Sequence, residues 1–382
     1  MESYFNFDIV YLTANIGLLI CFIVSGYQIS KGEKYLFYAV ICTMLYTIIL
    51  GLRFERGIDY NHYVELYTYG YDEGSQVCFV WINSFLKYLG VGKNSIFFFY
   101  SLIEISCALF FLKRYKKYGL YVIPFLMIST ILFNEWLIRQ ALGFSFVFLC
   151  LNSLFEAYEH KANREIILPL TKAVLFFLIA YSIHSACGYE LVLLIVIFVL
   201  SKKMIPLLYS ILLLVFSAYF FSEFFDFSYV NSFFNIFVND ERMSHYVGNY
   251  DKWFTFDNDR INFERNGLVL FMEIIGCISL FYFGKKAINL FCDKRESFTL
   301  YNYFVVGTIL LNAFRKVELI QRIASNLYIF WFFPLSIVLY HRKKLIATRY
   351  EQILFIFLIW FIYNYLKYLF FRGDMTKFIW DA

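Results

Sequence analysis

The chain has 382 residues, of which 61% are hydrophobic and only 16% are charged, and its mean hydropathy is +0.61. Because ordinary soluble domains do not have this composition, we expect an all-α protein that crosses a membrane several times. The formal net charge of +5 comes mainly from basic gaps between apolar segments, so it reports membrane orientation and gives no support to a nucleic-acid partner. The eight cysteines are scattered singly, which indicates neither a disulfide framework nor a zinc site.

Hydropathy predicts about twelve transmembrane helices, and one membrane domain over residues 1–382 is the simplest organisation. The first helix is expected to remain in the protein, because the N-terminus has neither a basic region nor a small-residue cleavage pattern. Lys and Arg fill the gap after each odd-numbered helix, and the positive-inside rule places these gaps in the cytoplasm and both termini outside. The predicted helices lie near residues 9–29, 35–52, 94–112, 119–135, 138–158, 166–182, 185–200, 204–221, 266–284, 299–314, 322–340 and 351–371.

Two of the predicted outer segments are longer than a turn. The segment near 75–90 places apolar residues such as Trp81 and Phe85 at helical spacing, which predicts an amphipathic helix lying at the membrane interface. The extracytoplasmic segment 222–265 is too polar to cross the membrane and too aromatic to be disordered. We therefore expect it to cap an outer cavity; the alternative is that its aromatic rings anchor it at the membrane interface.

Charged and polar residues are dense where the second predicted helix reaches the outer face. Arg53 is followed by Asp59, Tyr60 and Tyr63, and Gly57 would let the chain turn so that Asp59 points inward. This concentration at a helix end indicates a polar site. The alternative is that Arg53 snorkels to the headgroup level and pairs with a nearby carboxylate.

Arginine also stands at the outer start of two later predicted helices. Arg139 with Gln140 begins the fifth, where backbone N–H groups and the helix dipole would reinforce an arginine that binds an anion. Because a guanidinium matches phosphate oxygens bidentately, the pattern predicts a diphosphate site. The other candidate contacts are Arg53, Arg322 at the start of the eleventh helix, and Arg315. The alternative is ion pairing with Glu135 and Glu318.

His184 and Ser185 begin the seventh predicted helix at the same outer level. A histidine at a helix start is either a polar cap or, beside arginines that hold its pKa down, a base for an attacking hydroxyl. Asp59 and Glu73 are rival bases, and the sequence does not rank the three.

These segments resemble, in the same order, the EpsG family of bacterial exopolysaccharide proteins, which is related to the Wzy-type O-antigen polymerases. The resemblance rests on RFERGIDYNHY from residue 53, LIRQALG from 137, IHSA from 183 and QRIASNLYIFWF from 321. Together they cover about residues 50 to 340, which is most of the chain.

The resemblance implies a GT-C-like glycosyltransferase of the bacterial inner membrane, with its active site facing the periplasm or exterior and with no metal or cofactor. It would polymerise oligosaccharide units carried on undecaprenyl diphosphate: an acceptor hydroxyl attacks the anomeric carbon and the lipid diphosphate leaves. Arg53, Arg139 and Arg322 would then contact the diphosphate, and Asp59 or His184 would serve as base. The remaining candidates for sugar or acceptor binding are Tyr60, Tyr63, Glu73, Gln140 and Ser185.

Besides the lipid-linked oligosaccharide and membrane lipid, expected partners are a flippase and a chain-length regulator of the same pathway. Three other functions stay open at this stage. A ligase would move a finished glycan from the same lipid carrier to another acceptor. A flippase or other transporter would line a path through the membrane with its cations. A membrane O-acyltransferase would place its histidine and donor contacts differently.

Overall fold

A computed structural model describes residues 9–57, 59–70, 76–159, 163–221, 267–315 and 318–345, with isolated positions after 357. Across these residues the chain is helical and has no strand; the one isolated β-bridge described there joins Arg53 to Phe378. Contacts divide the chain into two compact units. The first contains Met1–Leu193 and Tyr363–Ala382, and the second contains Leu194–Ile362. The prediction of one domain over the whole chain stays a prediction.

The apolar segments form helices because a chain surrounded by lipid must satisfy its own backbone hydrogen bonds. In chain order the helices up to the middle of the chain are α1 (Ile9–Ser30), α2 (Tyr35–Gly51), α3 (Tyr60–Tyr69), α4 (Val77–Tyr88), α5 (Ile96–Leu112), α6 (Gly119–Trp136), α7 (Ile138–Glu159), α8 (Asn163–Ile183), α9 (Ser185–Leu200) and α10 (Leu207–Phe216). After residue 266 follow α11 (Gly267–Phe291), α12 (Arg295–Ala313), α13 (Glu318–Tyr328), α14 (Phe332–Tyr340) and α15 (Arg342–Leu345).

Each predicted transmembrane segment up to 322–340 corresponds to a helix, and the last, 351–371, lies almost wholly outside the described residues. Six helices in the described part are long and apolar enough to cross a membrane. One of these six runs from Ile96 to Glu135 and includes two predicted segments, which are separated by a non-helical residue, Tyr115.

Close helix packing in the first unit occurs at glycines. A Cβ added to Gly26 on α1 would come within 3.0 Å of the backbone carbonyl of Gly119 at the start of α6, and the converse is also true. Gly51 at the end of α2 lies equally close to the backbone of Phe98 on α5. Small residues let transmembrane helices approach in this way, and packing then supplies the attraction that hydrophobic burial cannot supply in lipid.

The segment near 75–90 forms helix α4, as predicted, and its two faces differ. Phe79, Asn83 and Leu86 are buried inside the first unit, to which α4 belongs. The apolar residues of the predicted stripe are exposed instead, with Trp81 67% and Phe85 60% accessible. Helix α3, which precedes α4, was not predicted because its sequence is polar and short.

In the second unit, side chains fix the connection between α9 and α10. The amide of Asn302 donates to the Ser201 hydroxyl at 2.8 Å and accepts from the Ile205 N–H at 2.9 Å. Lys285 donates to the Ile205 carbonyl at 2.8 Å. Arg295 donates to the Phe198 carbonyl at the end of α9. Basic and polar residues thus satisfy the carbonyls that a helix end leaves without partners.

Candidate functional site

Arg139 lies in the first turn of α7, as predicted, and is half-buried. Its guanidinium carbon lies 5.7 Å from the centre of the Phe79 ring on α4, within the range of a cation–π contact. Its Nε atom is buried and has no hydrogen-bond partner among the described residues. The side chain therefore retains donor capacity next to a helix N-terminus, where an anion is favoured.

His184 lies between α8 and α9 and caps the second of these helices. Its Nδ1 atom accepts a hydrogen bond from the backbone N–H of Ala186 at 3.2 Å. In a neutral imidazole one nitrogen accepts and the other carries the proton, so this bond places the proton on Nε2. This geometry favours Nε2 of His184 as a hydrogen-bond donor, and that His184 serves as the base stays a prediction.

Gln76, at the start of α4, joins that helix to the α8–α9 junction. With the amide oriented to satisfy its surroundings, its nitrogen donates to the Ile183 carbonyl at 2.6 Å. Its oxygen accepts from the Ser185 N–H at 3.1 Å and from the Ser185 hydroxyl at 3.2 Å. Sequence reasoning missed Gln76; the available signal was a glutamine directly before an amphipathic helix.

The starts of α7 and α9 approach each other closely. A Cβ at Gly143 would lie 2.8 Å from the Cys187 sulfur and 3.5 Å from the Cβ of His184. The Cys187 thiol also donates to the carbonyl of Gln140, which is itself buried. Arg139 precedes Gly143 by four residues on the same face of α7. We call Arg139, Gln140, His184 and Ser185, together with Gln76, the Arg139 site, and that they act as one functional site stays a prediction.

An aromatic cluster contacts Arg139 through the Phe79 ring and includes Tyr60, the first residue of α3. Neighbouring rings in it have centroids between 4.4 and 5.9 Å apart. The closest pair is Tyr60 stacked on Phe97. Burial raises the pKa of Tyr60 to about 12, so its hydroxyl stays protonated at neutral pH. The rings of the cluster are Tyr60, Tyr63, Phe79, Phe97 and Tyr100.

Of the predicted bases in the first outer segment, one can be described. Asp59 is half-buried and precedes α3, where its carbonyl accepts from the N–H of Tyr63 at 3.1 Å. Gly57 has a φ of 102°, the left-handed region that glycine favours, in agreement with the predicted turn before Asp59. Glu73 lies outside the described residues, as does the predicted outer segment 222–265.

Arg53 and Arg56 are fully buried beside two carboxylates of the same unit. Arg53 Nη1 donates to the Asn134 carbonyl at 3.1 Å, and Arg56 Nη1 lies 3.9 Å from Glu135 Oε1. Burial lowers the pKa of Arg53, and the nearby charges of Glu135 and Glu104 oppose that shift. We call Arg53, Arg56, Glu104 and Glu135 the buried charge cluster. Sequence reasoning assigned Glu135 to Arg139 as an alternative, whereas its ion pair with Arg56 is the one seen.

The remaining predicted arginines belong to the second unit. Arg322 lies in α13 and is half-buried, and Arg315 follows α12. The amide of Gln321 donates to the backbone carbonyl of Arg315, which fixes the turn between the two helices. That Arg315 and Arg322 join Arg139 in one diphosphate site stays a prediction.

Among the described residues, no group of three or more His, Cys, Asp or Glu is placed to hold a metal ion.

Comparison with known proteins identifies the family of the chain. No curated protein and no solved structure matches the chain significantly. The family profile of the EpsG family matches residues 35–379, and together with the six apolar helices this match makes the chain a membrane protein. Since the match covers most of its length, the chain belongs to the EpsG family, the family of exopolysaccharide polymerases.

Proposed function

We propose that this exopolysaccharide polymerase joins oligosaccharide repeat units carried on undecaprenyl diphosphate, in a bacterial inner membrane and at its extracytoplasmic face. In this proposal the protein has about twelve transmembrane helices in a GT-C-like arrangement and needs no metal. An acceptor hydroxyl attacks the anomeric carbon of the donor unit. The bond between that carbon and the phosphate oxygen breaks, the lipid diphosphate leaves with both electrons, and a base takes the proton.

The observation that supports the proposal is the position of the half-buried Arg139 in the first turn of α7, four residues before Gly143, which lies against His184. Charge develops on the diphosphate as the glycosidic bond breaks. A cation already fixed beside a helix N-terminus stabilises this charge without reorganising during the reaction. Arg139 is therefore assigned to the departing diphosphate.

His184 is assigned to hydrogen-bond donation, because its Nδ1 atom is used as an acceptor at the start of α9. Its Nε2–H would donate to a diphosphate or sugar oxygen. The proton of the attacking hydroxyl would then go to Asp59 or Glu73. Tyr60, Tyr63, Gln140 and Ser185 remain the candidates for sugar contacts; Tyr60 and Tyr63 belong to the aromatic cluster, while Gln140 and Ser185 belong to the Arg139 site.

A ligase that uses the same lipid-linked donor is the second candidate, because it would need the same diphosphate contacts. The two functions differ in what accumulates when the protein is absent. A flippase is less well supported, since Arg139 and His184 lie at helix starts rather than in the middle of helices.

The test is a deletion strain complemented with wild type, Arg139→Ala, Arg139→Lys or the control Arg114→Ala. The half-buried Arg114 pairs with the exposed Glu159 at 2.7 Å, and Glu159 is the last residue of α7, at the opposite end of that helix from Arg139. Lipid-linked glycans and surface polysaccharide are extracted and resolved by size. We expect single lipid-linked units to accumulate with Arg139→Ala, partial polymer with Arg139→Lys and normal polymer with Arg114→Ala. Full-length polymer left on the lipid carrier would instead indicate the ligase, and normal polymer with Arg139→Ala would exclude the proposed role.

A further inference from the structure

The buried charge cluster contains two arginines and two glutamates, so its charges cancel when all four are ionised. Arg53, Arg56 and Glu135 are 0% exposed and Glu104 is 2% exposed. Neither carboxylate oxygen of Glu104 has a hydrogen-bond partner among the described residues, and the same holds for Nε and Nη2 of Arg53. A buried charge needs an opposite charge or hydrogen bonds to compensate it, and here Arg56 lies 3.9 Å from Glu135 while Arg53 donates to the carbonyl of the neighbouring Asn134.

Contacts of the two arginines hold the turn after α2. Arg56 Nη2 donates to the Ile49 carbonyl in the last turn of α2 at 2.6 Å. Its guanidinium lies over the Phe378 ring at 4.5 Å, and that of Arg53 lies over the Phe97 ring at 4.9 Å. Since Tyr60 stacks on the same Phe97 ring, the position of Arg53 is linked to the first residue of α3.

The same cluster holds the end of α6. Arg53 donates to the carbonyl of Asn134, Glu135 lies beside Arg56, and the Asn134 amide donates to the Tyr46 hydroxyl on α2. Glu135 precedes Arg139 by only four residues. The cluster therefore connects the segment that begins α3 with the α6–α7 junction.

We propose that Arg53, Arg56, Glu104 and Glu135 are positioning residues that hold the start of α3, with Asp59 and Tyr60, in place relative to Arg139. This inference rests on the proposed function only for the statement that α3 and Arg139 face the reacting groups. It gives Arg53 a different role from the diphosphate contact implied by the family resemblance. The guanidinium of Arg53 is fully buried and hydrogen-bonded to the Asn134 carbonyl inside the protein, whereas Arg139 is the arginine that we assign to the substrate.

The test is a double-mutant cycle with Arg56→Met, Glu135→Gln and the two changes combined, with the single variant Arg53→Met measured beside it. Full-length protein is purified in detergent, and its Tm is measured together with kcat and KM for the lipid-linked unit extracted from the deletion strain. Each single change of the cycle leaves one buried charge uncompensated, so we expect kcat to fall by about tenfold or more, with KM changed by less than about twofold. Arg53→Met should likewise lower kcat without raising KM. The double variant removes both charges, and we expect it to recover kcat to within about threefold of wild type.

The pair of Arg114 with the exposed Glu159 provides the control cycle, Arg114→Met with Glu159→Gln, for which we expect kcat to stay near wild type and the coupling in Tm to be small, because water screens the Glu159 end of the pair. If a single variant does not accumulate in membranes, accumulation becomes the readout, and the double variant must exceed both singles. Equal inactivity of Arg56→Met and the double variant would overturn the inference, and a raised KM in Arg53→Met would overturn it in favour of a substrate contact. Additive changes in Tm would also overturn it, and because Tm needs no substrate, this result is independent of the proposed function.

Discussion

Replacing Gly57 by alanine tests how closely the turn before α3 fits against the end of α6. Gly57 has a φ of 102°, and a Cβ there would lie within 3.0 Å of the Glu135 carbonyl oxygen. The backbone conformation costs about 1–2 kcal/mol for a residue with a Cβ. Pushing apart two packed backbone segments adds about 1–3 kcal/mol. The sum predicts a loss of about 2–5 kcal/mol.

Gly32 supplies a matched control because its φ is 99° and a Cβ there would meet nothing within 4 Å. Gly32→Ala therefore carries the conformational cost alone, about 1–2 kcal/mol. The assay is thermal unfolding of the purified protein in one detergent. We expect Tm to fall at least about twice as far for Gly57→Ala as for Gly32→Ala. Equal shifts for the two variants would show that Gly57 does not contact Glu135, and would refute the close fit of the turn.

Three further predictions concern single side chains. His184→Asn can still cap α9, so we expect its Tm to stay within about 1 °C of wild type while polymer is no longer made. His184→Ala should both lower Tm and abolish polymer. Polymer made by His184→Asn would contradict the donor role of His184. Gln76→Ala removes the link to the α8–α9 junction and should cost about 1–3 kcal/mol in unfolding experiments, and an unchanged Tm would contradict that link. Gly26→Ala should separate α1 from Gly119 and lower Tm, while Gly17→Ala, with open space at its Cβ, should not; equal Tm values would argue against the close crossing.

Helix positions could be predicted from the sequence because length and apolar composition nearly determine them in lipid. The predicted segment 138–158 is found as Ile138–Glu159, and 185–200 is found as Ser185–Leu200. Helix α3 was missed because residues 60–69 are polar and held by tertiary contacts, of which the Tyr60–Phe97 stack is one. Hydropathy has no signal for a helix of that kind.

Contacts within the candidate site were less predictable than its composition. The motifs predicted Arg139 near His184 because both stand at predicted helix starts, and the structure places Gly143 of α7 against His184. They could not show that the His184 Nδ1 atom caps α9, because capping depends on the angle at which α8 meets α9. Nor could they show the ion pair between Arg56 and Glu135, since the two residues lie in different segments and no regular spacing connects them.

The two predicted diphosphate arginines of the first unit show why position at a helix end does not decide function. Arg53 and Arg139 both follow an apolar segment closely, and both have an aromatic ring beneath the guanidinium. Of the two, Arg53 is the one that is fully enclosed, and it donates to the Asn134 carbonyl next to Glu135; no ion pair of Arg139 is found among the described residues. Arg139 is half-buried, at a helix N-terminus that itself favours an anion. A cation with internal compensation can hold structure, and one without it in a part-open site has an unmet electrostatic requirement that an anionic substrate can satisfy.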